Sequence, residues 1–309
     1  MAFLAQCAPW RIPMLLIEGA IDDERERLEA VAALAEVSLV KHDPFDNGTE
    51  ALTVHRLVQA VARTSRSYDR LAITAVERIK KRLANLYPQS LDDIGDFTAD
   101  QFGQNGTQLK PHLLARPPSE IIAILLQSTS TDEERTRAAL YHLNRLAFEL
   151  SGNGDIAGPL ALYEGGLEQV EKLFIKDEAD WWLKNMWLNN FAIALERVGK
   201  LAEAKLRFEQ LLAFEQLRAN DPDVEGSGAN RTRAHLARVL LASRQPLEAL
   251  AVSEVALAVD EKTVGSDRAW TKESARVTAD ALDRLGRTEE AKALRERYGV
   301  ASSDDPKSS

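Results

Sequence analysis

The stretch Leu188–Ala204, LNNFAIALERVGKLAEA, decides the fold of the second half of this chain. Leu188, Phe191, Ala192 and Leu195 stand at i, i+3, i+4 and i+7, the spacing of an apolar stripe on a helix. Gly199 stops that helix, because glycine accepts the left-handed backbone at a C-terminal cap. A second helix follows as LAEAKLRFEQLLAFEQL, with Ala204, Phe208, Leu211 and Leu212 inward. Small side chains at Ala192 and Ala204 let the two helices approach closely, which makes the unit a helical hairpin.

Outward from this unit the same step recurs. GDIAGP (Gly154–Pro159), GKLAEA (Gly199–Ala204), RQPLEA (Arg244–Ala249) and GRTEEA (Gly286–Ala291) follow one another at offsets of 45, 45 and 42 residues. Seven residues before each anchor stands an alanine (Ala147, Ala192, Ala237, Ala279), and four before it a leucine (Leu150, Leu195, Leu240, Leu282). A hairpin of this kind leaves an apolar face that only the next hairpin covers, so stability is collective. The pattern resembles the tetratricopeptide repeat family, in the longer form found in kinesin light chains. It covers about Thr131 to Tyr298 and is clearest in the middle two repeats. Pro159 replaces the usual alanine in the first repeat; Thr278 and Arg295 in the last read as a polar terminal cap. The tail VASSDDPKSS is expected to be disordered.

Residues 1–66 read differently. Asp22–Glu36 is a helix with an acidic first turn, SLVKHD and ALTVHR are short strands around PFDNGTE, and LVQAVARTS returns to helix. Helix, β-hairpin, helix is the C-terminal part of a winged-helix domain. The strings FLA, IP, SLV, VHRLVQ (Val54–Gln59) and LKPHLL (Leu109–Leu114) resemble bacterial signal-transduction NTPases of the NB-ARC/STAND class. That resemblance implies a nucleotide-binding core upstream of Met1, then a winged helix, a helical linker and repeats. No G-x-x-x-x-G-K-[ST] phosphate loop stands in the chain, so the expectation is a truncated, split or fragmentary arm without a nucleotide site. Residues 67–130 form the linker: a basic helix over Tyr68–Leu86, an Asp/Gly-rich loop over 91–108, a hinge at Pro117-Pro118, and a buried helix at IIAILLQ. Thr131–Glu134 is read as an N-cap with an acidic first turn. The predicted fold is therefore mostly α: a tetratricopeptide-type α-solenoid over 131–299 behind a small winged-helix-like module and helical linker, with residues 300–309 as a tail.

Composition narrows the function classes. The 309 residues carry a net charge of −9 and a pI near 5.3, and none of the three segments is basic. A general attraction to nucleic acid or to an anionic membrane is not expected. Glu18, Asp22, Asp23, Glu24, Glu26, Glu29 and Glu36 outweigh Arg25 and Arg27 where a winged helix would meet DNA, which counts against the alternative of a DNA-binding regulator. Arg78, Lys80, Lys81 and Arg82 read as a solvated helix face. The apolar first twenty residues lack a basic start and are broken by Arg11 and Pro13, unlike a signal peptide. No apolar run reaches the roughly 18 residues of a membrane span, and the single cysteine excludes a disulfide framework. The expected location is cytoplasmic.

Catalytic chemistry finds little support. His42, His112, His142 and His235 show no metal-ligand spacing. His55, before Arg56 at a strand-to-helix junction, is expected to hydrogen-bond locally. Cys7, beside Pro9 and Trp10, reads as a buried structural thiol. No cofactor is implied and no enzyme is predicted. Binding is. First helices of such hairpins line the concave side, where Tyr141, Asn144, Arg145 and Phe148, then Met186, Asn189, Asn190 and Ile193, then Arg231, His235 and Arg238 fall on one stripe per helix. Asparagine amides suit an extended peptide backbone and the arginines suit a carboxylate. The competing reading is that Asn189 and Asn190 join neighbouring repeats. Trp181, Trp182 and Trp187 are expected to pack between repeats. The expected partner is a protein or peptide.

Overall fold

The computed structural model describes residues 1–64, 68–86, 103–126, 133–173, 175–176, 178–217 and 227–302. The expected N-cap at Thr131, most of the expected loop over 91–108 and all but the first three residues of the tail lie outside them. The chain divides into two compact units, Met1–Lys172 and Leu173–Ser309.

In the first unit, β1 (Ile12–Pro13), β2 (Val40–His42) and β3 (Ala51–Val54) form an antiparallel sheet in the order β1-β3-β2. Leu52 at its centre faces Ile12 on one side and His42 on the other. The short helix α1 (Met14–Ile17) follows β1, and α2 (Glu24–Glu36) precedes β2. Asp23 caps α2 by accepting the Glu26 amide at 2.8 Å. Ser38 ends it in the left-handed region (φ 58), and the Leu39 amide returns to the Leu34 carbonyl at 2.9 Å. The PFDNGTE loop closes on Gly48 (φ 82), with the Phe45 amide bonded to Thr49 O at 2.9 Å.

Helix α3 (Arg56–Thr64) and α5 (Gly103–Leu114) hold the N-terminal segment by side-chain bonds to its backbone. Gln59 donates to Leu4 O at 2.8 Å, Arg63 to Ala5 O at 2.7 Å, and Arg116 to Gln6 O at 2.7 Å. His112 accepts the Ala8 amide at 3.1 Å. An irregular segment could be buried here only because its carbonyls are satisfied in this way. Helix α4 (Tyr68–Leu86) buries Ala75, Ile79 and Leu83, one per turn, as its period predicts. The described part of the expected loop over 91–108 is instead helical, since α5 begins at Gly103. Burial of Leu109 and Leu113, one turn apart, anchors that helix despite Gly103, Gly106 and Pro111. Helix α6 (Pro118–Leu126) starts on proline, which suits a first helical position, and buries Ile121, Ile124 and Leu125. It packs on α8 at Gly165, where a Cβ would collide with Ile122.

The helical hairpins are α7 (Glu133–Gly152) with α8 (Ala157–Lys172) in the first unit, then α9 (Glu178–Arg197) with α10 (Leu201–Gln216), α11 (Ser227–Ala242) with α12 (Pro246–Thr263), and α13 (Ala269–Arg284) with α14 (Thr288–Tyr298) in the second. This is the tetratricopeptide-type arrangement. Ala147, Ala192, Ala237 and Ala279 are all fully buried, as are Ala204, Ala249 and Ala291 of the facing helices. The aligned leucines have a backbone role as well. Their carbonyls accept the amides of Asp155, Lys200, Gln245 and Arg287 at 2.9–3.0 Å, each the residue after a left-handed position. That position is Gly154 (φ 83), Gly199 (φ 77), Arg244 (φ 59) and Gly286 (φ 76).

In the second unit, consecutive hairpins meet through the second helix of one and the first helix of the next, α10 on α11 and α12 on α13. Each of these seams carries one carboxylate–hydroxyl bond at an equivalent place. Thr232 donates to Glu215 Oε1 at 3.3 Å, and Ser274 to Asp260 Oδ2 at 2.9 Å. Asn185 of α9 also donates to Glu215, at 2.9 Å. The last hairpin is closed by Arg295, which bonds Asp280 and Asp283 at 2.6 Å each. Thr278 is buried, its hydroxyl turned back onto Ser274 O at 2.7 Å.

Candidate partner-binding groove

The first stripe of expected groove residues does not form an open surface. Tyr141 and Asn144 are each 1% exposed, a correction to the sequence reading, and only Arg145 and Phe148 of that stripe reach solvent. The reason is α6, which packs against both α7 and α8 and makes α7 an interior helix. Arg145 lies over the Phe148 ring at 5.5 Å, and Phe148 is 58% exposed.

In the second unit the first helices α9, α11 and α13 share an accessible face. On α9 it presents Trp182, Met186, Asn189, Ile193 and Glu196, spaced by one turn; Asn190 stands beside it. Asn189 donates to the Asn190 side chain at 3.2 Å. On α11 it presents Arg231, His235 and Arg238, and on α13 Trp270 and Glu273. Three tethers cross between helices. Arg231 lies over the Trp270 ring at 3.8 Å. Arg238 grips Glu196 with two bonds of 2.7 Å and stands 3.8 Å from Glu273. Glu273 also pairs with Arg276. Arg238 is thus neutralised within the fold, and the Glu196 bond raises its pKa further. A partner's carboxylate would have to compete with the Glu196 and Glu273 pairs. Glu196, Glu273 and Trp270 were not singled out by sequence.

His235 stacks flat on Phe208, centroids 5.6 Å apart, with Nδ1 3.0 Å from an Arg238 nitrogen. Burial, and then the Arg238 charge, push its pKa down to about 4, so the ring is neutral and its Nδ1 accepts from the guanidinium. Of the three tryptophans, Trp187 is fully buried and Trp181 stacks on Phe214 at 5.8 Å, while Trp182 is 43% exposed. Trp270 is 48% exposed. A cavity of about 300 Å³ opens between the C-terminal ends of α11 and α13, lined by Arg238, Leu241, Arg244, Val277 and Arg284 among others.

The other sequence candidates are structural. His55 accepts the Leu57 amide at 3.1 Å. Cys7 is buried and its thiol is pushed up to about 12 by burial, against the opposing charges of Arg116 and Arg63. His142 is fully buried, which pushes it down to about 3. Among the described residues no three His, Cys, Asp or Glu side chains converge as for a metal ion, and no helix is long and apolar enough to cross a membrane.

No family model and no curated protein matches the chain. Among solved structures, it is similar to the kinesin light chain-type protein of Podosopora anserina with nearly identical TPR-like repeats, at 23% identity and a TM-score of 0.47, over 62% of this chain and 86% of that one. A single-residue variant of the same protein gives 23% identity and a TM-score of 0.48 over the same shares. No partner or activity passes from these proteins to this chain.

Proposed function

We propose that the chain is a protein-interaction scaffold acting without catalysis, and that α9, α11 and α13 hold a partner segment across their shared face. The observation that supports this reading most is the pair of half-exposed tryptophans, Trp182 and Trp270, on a face that also carries Met186, Ile193 and the amides of Asn189 and Asn190. Large apolar anchors among hydrogen-bonding side chains are the composition of binding hot spots. The test is affinity capture with the full chain followed by the same capture with Trp270→Ala and with Asn189→Ala/Asn190→Ala. Loss of the captured protein from variants with an unchanged circular dichroism spectrum supports the reading. Equal capture by all three forms refutes it.

The N-terminal unit supports a finer proposal. A helix, two strands and a helix, with β1 added beside β3, have the element order of a winged helix. With the sequence resemblance, this favours a cytoplasmic sensor arm of a STAND-type switch. Its exposed acidic α2 (Glu24, Glu26, Glu29) favours a protein neighbour over DNA. Tight ATP binding by this chain, or a salt-dependent gel shift with duplex DNA, would overturn that assignment.

A further inference from the structure

The third repeat departs from the others at one backbone position, and the departure faces a cavity. Gly154, Gly199 and Gly286 occupy the left-handed cap in their repeats, each with open space where a Cβ would stand. Arg244 occupies the same place at φ 59, a conformation that a residue with a side chain adopts at a cost glycine avoids. Strain held at one site points from an observed outlier to a role for its side chain. Arg244 is among the residues that line the cavity between the ends of α11 and α13.

Three of the other charges around the cavity, Asp280, Asp283 and Arg238, are committed to named partners. Asp280 and Asp283 each accept from Arg295 at 2.6 Å. Arg238 is held by Glu196 and Glu273. The helix-end carbonyls that would attract a cation are also used: Leu240 and Leu241 accept the amides of Gln245 and Arg244, and Leu282 and Asp283 those of Arg287 and Gly286. Arg244 itself makes no side-chain hydrogen bond or ion pair among the described residues. Arg244, exposed and with no anion paired to it among the described residues, therefore stands beside the aliphatic side chains of Leu241, Ala242 and Val277.

We propose that this cavity is a carboxylate-binding site, in which Arg244 receives an acidic side chain of the partner segment while Leu241 and Val277 take its aliphatic stem. A guanidinium fork matches a carboxylate in two parallel bonds. The neighbouring Asp280 and Asp283 disfavour a dianionic phosphate more strongly than a single carboxylate. The proposal rests on the groove reading above and assigns the chemistry of one end of it.

The test is fluorescence anisotropy of the full chain with a labelled peptide of alternating leucine and glutamate, against the same peptide with glutamine for glutamate. Binding of the glutamate peptide is expected to fall about tenfold with glutamine in its place and about tenfold in Arg244→Gly, the value of one charge-assisted pair. Arg244→Gly should unfold no earlier than the parent, so lost binding is not lost folding. Equal binding of the two peptides, unchanged binding by Arg244→Gly, or no binding of the glutamate peptide overturns the proposal. Displacement of the peptide by millimolar inorganic phosphate, dependent on Arg244, overturns it in favour of a phosphate site. Capture that fails only in Trp270→Ala, with the peptide unbound, would leave the groove standing and the carboxylate site refuted.

Discussion

The four left-handed caps permit a stability experiment whose sign differs between repeats. At Gly199 a methyl group would meet nothing within 4 Å, and the cap bonds from Gly199 to Glu196 O and from Lys200 to Leu195 O, both 3.0 Å, need no rearrangement. The cost of Gly199→Ala is then conformational alone. Left-handed backbone costs an L-residue about 1–2 kcal/mol, and a stiffer unfolded chain returns about 0.4–1 kcal/mol, leaving a loss near 1 kcal/mol. Arg244→Gly runs the same exchange backwards and should gain a similar amount, since its side chain makes no hydrogen bond or ion pair among the described residues. For a unit of this size either change moves the melting temperature by about 2–5 °C. Urea and thermal unfolding followed by circular dichroism reads both. The two sites belong to different repeats and share no partner, so the double variant should unfold close to the parent. Arg244→Asn, which tolerates the left-handed region, should fall between arginine and glycine. A destabilised Arg244→Gly, or a Gly199→Ala indistinguishable from the parent, would refute the reasoning, and the first result would also show that Arg244 serves the fold.

Acid should loosen both units. His112, His142 and His235 are held near 4, 3 and 4 against an ordinary 6.5, so the unfolded chain binds more protons and stability falls as pH drops from about 6.5 towards 4. Urea midpoints from pH 7 to pH 4.5 should decline, less steeply in His235→Gln; a flat profile would count against neutral buried rings. Phe208→Ala removes a fully buried ring stacked on His235 and should cost about 3–5 kcal/mol, against less than about 0.5 kcal/mol for half-exposed Leu206→Ala, by the same unfolding assay. Burial raises the Glu215 pKa, with its Asn185 and Thr232 bonds opposing, so its folded state favours the proton and loses stability as pH rises through that pKa. Glu215→Gln keeps an acceptor for both donors and should therefore be neutral or stabilising at pH 7, with the gain vanishing in acid; a clear loss at pH 7 would contradict this.

The repeats were legible because each aligned residue answers a local demand that sequence records directly. The alanines mark where helices touch, the leucines supply the cap carbonyl and are buried at Leu195, Leu240 and Leu282, and glycine supplies the left-handed turn in three of the four repeats. The helix–hairpin–helix order of the first unit was legible for the same reason. Helix α5 was hidden because its helicity comes from docking Leu109 and Leu113, which outweighs local Gly, Asn and Pro propensities. Burial of Tyr141 and Asn144 was hidden because the covering helix α6 belongs to what read as a linker. The pairing of Arg238 was hidden because its carboxylates come from two other helices, Glu196 lying 42 residues away. Periodicity tells which face a residue occupies and says nothing of which opposite charge stands across it.

The carboxylate–hydroxyl bonds at Glu215–Thr232 and Asp260–Ser274 carry a consequence for how such a groove is adjusted. At both seams a carboxyl group of the second helix receives a hydroxyl from the first helix of the next hairpin, α11 to α10 and α13 to α12. Glutamate at one seam and aspartate at the other differ by a single methylene. The exchange Glu215→Asp with Asp260→Glu would move that methylene from one seam to the other while keeping both hydroxyl partners.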